Sequence, residues 1–123
     1  MKLRGVRGAT TCENNSREAI FAAVGELWLA LEEKNSFAED DLAAVIFSST
    51  PDLNAAFPAT AVRKLGLVDV PLFGTAEIEQ PEAIKLCVRV LALWNTDKPQ
   101  TDIRHVYLRG AAVLRPEHAV KGS

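Results

Sequence analysis

The stretch Lys85 to Trp94 (K-L-C-V-R-V-L-A-L-W) constrains this chain more than any other. Aliphatic and aromatic residues dominate it, and neither Gly nor Pro interrupts it, so it reads as a long strand. A strand sends successive side chains to opposite faces. Leu86, Val88, Val90, Ala92 and Trp94 then form one face, and Cys87, Arg89, Leu91 and Leu93 the other. Both are mostly apolar, which predicts burial on both sides. Arg89 stands in the middle of it. A guanidinium does not release its proton, so in such surroundings it needs an anion or a carbonyl. Two arrangements meet that need. Arg89 forms a structural pair with Glu77, Glu79 or Asp52, or it points into a pocket shared with Tyr107, Arg7 and Glu77. The second would suit a small polyanion that also carries a hydroxyl, because Arg offers two parallel donors to one carboxylate.

The other elements fall into place around this strand. Lys2 to Ala9 reads as a first strand, with Arg4 and Arg7 on opposite faces if the pleat is regular. Ser16 to Lys34 reads as a long helix, capped by Asn15 with Glu18 reaching back. Its stripe is Ile20, Val24, Leu27, Trp28 and Leu31. Ser36 and Glu39 repeat the capping pattern and predict a short turn ending near Asp41. Ala43 to Ser48 is apolar throughout and reads as a buried central strand. The turn-rich segment S-S-T-P-D-L-N-A-A-F-P-A carries Phe57 as a cover over the core or as a binding wall. Ala59 to Leu65 predicts one or two helical turns, with Pro58 at the start and Gly66 at the end. Val70 to Gly74 reads as a short strand, placed at a sheet edge by Pro71 unless that proline is its first residue. Glu77 to Glu82 is an acidic loop, and Asn95 to Asp102 is a turn. From Arg104 a further strand alternates Val106 and Leu108 with His105, Tyr107 and Arg109. Gly110 breaks it, a second apolar run follows from Ala111 to Leu114, and a polar tail begins near residue 117. The order β-α-β-(short α)-β-β-β predicts an α+β domain spanning residues 1–123. It would be a mixed sheet of about five strands covered by one long helix. The uncovered face favours association with further copies in a closed ring.

Composition excludes several classes. A net charge of −2 argues against general nucleic-acid or membrane-surface binding. No run approaches membrane-spanning length, and the N-terminal M-K-L-R-G-V-R-G lacks the apolar segment of a signal peptide. Cys12 and Cys87 lie far apart without His or Cys at ligand spacing, so they read as reduced thiols of a cytoplasmic protein. Spacing supports no nucleophilic triad, Gly-rich phosphate loop or metal-ligand cluster. His105 reads as a satisfied structural residue and His118 as part of the tail. An enzyme built this way would work by electrostatics and orientation rather than through a nucleophile.

Several motifs together resemble a known family. They are R-G-V-R-G-A-T-T at Arg4–Thr11, T-P-D-L-N-A-A-F-P-A at Thr50–Ala59, A-V-R-K-L at Ala61–Leu65 and V-P-L at Val70–Leu72. C-V-R-V at Cys87–Val90, T-D-K-P-Q at Thr96–Gln100, I-R-H-V-Y-L at Ile103–Leu108 and A-V-L-R-P at Ala112–Pro116 continue the series. From about Lys2 to Pro116 the chain resembles the monofunctional chorismate mutases of the AroH class, which convert chorismate to prephenate in the biosynthesis of phenylalanine and tyrosine.

The resemblance implies a homotrimer, a pseudo-α/β-barrel assembly with active sites in the clefts between subunits. No cofactor or metal is expected, and no nucleic-acid or membrane partner. By position, Arg89 matches the donor to the substrate's ether oxygen, Arg7 and Tyr107 match residues that hold its carboxylates, and Glu77 matches the acceptor for its ring hydroxyl. Phe57 and Arg63 match positions that approach from a neighbouring subunit. Leu114 and Arg115 match the C-terminal segment that closes the site. Ala59, Leu72, Phe73 and Gly74 match its wall, where a Thr-Cys pair of the family pattern is here Phe73-Gly74. A family lysine is here Thr60. Two rival readings remain at the level of residues alone. One is a trimeric binding module for small carboxylates, and the other is a different trimeric enzyme with an arginine-lined cleft, such as an imine deaminase.

Overall fold

A computed structural model describes residues 1–115. Five strands form one mixed sheet: β1 (Lys2–Thr11), β2 (Leu42–Ser49), β3 (Leu72–Ala76), β4 (Cys87–Thr96) and β5 (Val106–Tyr107). Helix α1 (Arg17–Asn35) follows β1, and the short α2 (Pro58–Lys64) follows β2. The strand order is β3-β2-β4-β1-β5. The apolar strand β4 therefore takes the centre, antiparallel to β1 and β2, while β3 and β5 add in parallel at the two edges. The α+β class and the element order expected from the sequence are those observed. β2 lies inside the sheet, though not at its middle, and Pro71 does precede an edge strand.

One face of the sheet carries the core. Val6, Val88, Val90, Ala92 and Trp94 pack beneath Ile20, Val24, Leu27, Trp28 and Leu31 of α1, all buried. Phe37 links the layers, with its ring centroid 5.7 Å from Trp28 and 5.0 Å from Trp94. Gly8 lies under α1 where a Cβ would stand 2.9 Å from Val90 Cγ1 and 3.0 Å from Leu31 Cδ1, so glycine there permits close approach. In β2 an irregularity between Leu42 and Ala44 reverses the alternation, which lets Leu42 and Val45 both face the helix.

The opposite face departs from expectation. β4 is not buried on both sides: Leu91 and Leu93 are only partly covered, and the Arg89 side chain is 44% exposed. Both helices pack on the other side, so among the described residues no layer covers this face. Arg89 therefore takes part in an accessible ion pair rather than a buried one.

Several local expectations also change. The N-cap of α1 is Ser16, whose hydroxyl accepts from the Ala19 N–H at 3.1 Å. Asn15 instead reaches the loop before α2: its Oδ1 accepts from the Asn54 and Ala55 N–H groups, and its Nδ2 donates to Asn54 Oδ1. Ser36 is no second N-cap; it ends α1 in the left-handed conformation at φ 59°. The strand expected from Arg104 shrinks to Val106–Tyr107, and the later apolar run is a 3₁₀ turn, Arg109–Leu114. The turn begins with Arg109 at φ 51° and is anchored by Leu108 N–H to Ala9 O and by Gly110 N–H to Thr11 Oγ1. Those long-range bonds outweigh the local alternation. The polar tail and His118 lie outside the described residues. Among the described residues no helix is long and apolar enough to cross a membrane.

Candidate active site

Strand pairing brings the candidate side chains together. Ala9 of β1 is in register with Arg89 of β4 on one side and with Tyr107 of β5 on the other, and Ser48 of β2 is also in register with Arg89. Arg7, two residues before Ala9, shares their face. The result is a depression of about 350 Å³ on the uncovered face, lined by Arg7, Arg89, Tyr107 and Leu114 with Ser48 and Ile46. Arg7 lies over the Tyr107 ring, with Cζ 6.0 Å from the centroid. Glu77 enters through its ion pair with Arg89, Oε1 to Nε at 3.5 Å. Arg115 donates from Nη2 to the Tyr107 carbonyl at 3.0 Å, which draws the C-terminal turn against the depression.

The polarity of this place is uneven. Two guanidinium groups face it against one carboxylate. The Tyr107 hydroxyl is buried and makes no hydrogen bond among the described residues. A buried hydroxyl left unpaired costs about 1–3 kcal/mol, so it marks a position where a polar group of a ligand would be stabilising. Burial pushes the Cys87 thiol up, against the pull of Arg89, and the protonated thiol adds no negative charge beside the arginine. Burial and the charge of Arg7 together hold the His105 imidazole below its usual range. In that neutral form Nδ1 accepts from the Arg7 N–H at 3.0 Å. His105 is thus the satisfied residue that was expected, and it fixes the backbone of Arg7.

Asn35 does the same for β5. Its amide, buried at the end of α1, donates to Arg104 O at 2.9 Å and accepts from Arg104 N–H at 3.0 Å. A polar residue at the end of an apolar helical stripe was the only sequence signal of that tie. Ser48 was missed too, since it reads only as the end of an apolar run.

The remaining candidates do not join this depression within one chain. Phe57 and Gly74 line a separate cavity of about 650 Å³, together with Arg17, Phe21 and Leu53. Phe57 is 77% exposed. Ala59 is buried on α2, whereas Arg63 projects from it into solvent. On β3, Leu72 packs against the core from the helix side and Phe73 is exposed. Gly74 has nothing within 4 Å of where a Cβ would stand. Among the described residues no cluster of three His, Cys, Asp or Glu side chains could hold a metal ion.

The family described as chorismate mutase type I matches residues 3–118. A chorismate mutase AroH from Thermus thermophilus is 50% identical over 116 residues, which cover 94% of this chain and 95% of that protein. The chorismate mutase AroH of Bacillus subtilis is 42% identical over 118 residues, covering 95% and 93%. Among solved structures, a chorismate mutase from Clostridium thermocellum superposes with a TM-score of 0.87 at 44% identity, covering 89% of this chain and 98% of the other.

Proposed function

The chain belongs to the chorismate mutase type I family, and on that premise we propose how it converts chorismate to prephenate. The reaction is an intramolecular rearrangement in which one C–O bond breaks as one C–C bond forms. No group on the enzyme need be consumed. What a protein can contribute is selection of the folded, diaxial conformer and stabilisation of the charge that develops as the bonds exchange.

The buried Tyr107 hydroxyl, unpaired among the described residues and beside two guanidinium groups, carries this reading. Arg7 and Tyr107 hold the substrate's carboxylates. Glu77 accepts from the ring hydroxyl, and Arg89 donates to the ether oxygen. Negative charge grows on that oxygen in the transition state, so a prepositioned guanidinium binds the transition state more tightly than the ground state. Leu114 and Arg115 close the depression from the C-terminal side.

The active assembly is a homotrimer joined through the uncovered sheet face, in a cytoplasmic enzyme of aromatic amino-acid biosynthesis. Phe57 and Arg63 reach the depression of a neighbouring subunit, with Ala59, Leu72, Phe73 and Gly74 forming the wall. Supporting this is the exposure of Leu3, Phe57 and Phe73, apolar side chains that a lone chain leaves in water. The test is to follow the ultraviolet absorbance of chorismate after adding purified protein, while light scattering reports the mass. Rapid loss with prephenate as sole product, at three times the mass of one chain, is the expected result. Chorismate that binds but persists would replace this reading with a binding module.

A further inference from the structure

We propose that Asp52 is a positioning residue for the rearrangement, acting on Arg89 and Glu77 through Thr50 and the backbone of Leu86. The inference rests on the reading of Arg89 and Glu77 given above.

Glu77 begins the irregular segment between β3 and β4, and Arg89 lies just past its other end, on β4. Both ends of that segment are gripped by four residues, Ser49 to Asp52. At the first end the Glu77 N–H donates to Ser49 O at 2.9 Å. At the second, Thr50 pairs with Cys87 in both directions: Thr50 N–H donates to Cys87 O at 3.0 Å, and Cys87 N–H donates to Thr50 Oγ1 at 3.0 Å. Asp52 completes the corner. Its Oδ1 accepts from the Thr50 hydroxyl at 2.5 Å, and its Oδ2 accepts from the Leu86 N–H at 2.9 Å.

Leu86 shows why this corner matters. Its φ is 50°, in the left-handed region that a leucine avoids. Such a conformation persists only where the surroundings over-determine it. Asp52 holds the Leu86 N–H, and the Cys12 N–H holds its carbonyl at 2.8 Å. From there β4 starts, and Arg89 is three residues on. Without the carboxylate, Leu86 is free to relax toward the extended region, which redirects the first residues of β4 and the far end of the segment that Glu77 begins. Arg89 then loses its aim at the reacting oxygen. Asp52 itself does not touch the depression, so it positions and does not react.

Asp52→Asn keeps the size of the side chain but cannot accept from both Thr50 and Leu86. Thr50→Val removes the hydroxyl link at constant shape and serves if the first variant folds poorly. For either, steady-state kinetics with chorismate should show kcat reduced roughly 10- to 100-fold, because small misplacements of an oriented group cost that much. KM should stay within about twofold, since the carboxylate-binding residues are untouched. Thr50→Ser, which restores the hydroxyl, should recover kcat. In an Arg89→Lys background Asp52→Asn should add little, because the fork it aims is gone. A merely structural role predicts the same fold-loss in both backgrounds, and that result overturns the proposal. So does unchanged kcat in both Asp52→Asn and Thr50→Val while the wild type is active. Wild-type protein inert toward chorismate overturns the site reading and this inference together.

Discussion

The two faces of the sheet use the same strands for opposite ends. Along β4, Val88, Val90, Ala92 and Trp94 point toward α1 and are buried, while Arg89, Leu91 and Leu93 point away and stay partly open. Along β1, Val6 and the Cβ position of Gly8 face the core while Arg7 serves the depression. Period-2 alternation thus separates stability from chemistry residue by residue. The covered face tolerates little change in volume, because it is packed to a helix. The open face can carry charge, because water or a ligand can solvate it.

That division is exposed to direct attack. The largest effect should come from Arg89→Ala on the open face: kcat for chorismate should fall by at least ~10²–10³, the loss typical of removing one transition-state donor. Arg89→Lys should remain poor, because a point charge does not reproduce the fork. Thermal unfolding of both variants should match the wild type; a large loss of stability would show that the open face also holds the fold. A smaller and opposite effect is expected from Gly8→Ala, whose methyl would meet Val90, Leu31 and Leu27 at 2.9–3.2 Å. Denaturant titration should show about 1–3 kcal/mol lost to overpacking, with kcat per folded molecule retained.

The smallest effect lies at the seam between the faces. His105 has a depressed pKa in the folded protein, through burial and the charge of Arg7, so the unfolded chain binds the proton more readily. Stability from this group is therefore complete above its ordinary value of 6.5 and is lost as pH falls through the lower folded value. Protonation at Nδ1 also removes the acceptor of the Arg7 N–H. Melting temperature followed from about pH 8 to 5 should decline shallowly in the wild type and less in His105→Gln, since Gln does not titrate there. Identical slopes would remove His105 from the account.

Much of this architecture is legible in the sequence, for physical reasons that differ by element. Helix α1 announces itself because its apolar stripe follows a 3.6-residue period, and β4 because nothing interrupts it. Where reading fails, the deciding interaction is remote. Leu91 and Leu93 look like core residues because sequence records that a side chain is apolar and not whether a layer packs over it. Ser16 takes the cap from Asn15 because Asn15 has better partners at Asn54 and Ala55, nearly forty residues away. The 3₁₀ turn after Tyr107 depends on Thr11 and Ala9 of the first strand. Leu86 carries no turn signal at all, and its left-handed backbone meets remote partners, Asp52 at its N–H and the Cys12 N–H at its carbonyl. Of the site, the arginines were visible as charges on apolar strands. The depression that gathers them depends on the order of strands, which no local pattern encodes. Glu77 came into view through its family position and as one of several carboxylates able to pair with Arg89.

The Asn15 clamp has a consequence for assembly. Three hydrogen bonds of one amide tie the loop before α2 to the start of α1. Phe57, two residues past Ala55, is carried by that tethered loop and is 77% exposed. Immobilising a rotamer-rich side chain on association costs on the order of 0.5–1.5 kcal/mol, and for the proposed contact through Phe57 the loop that carries it is already tied down in the single chain.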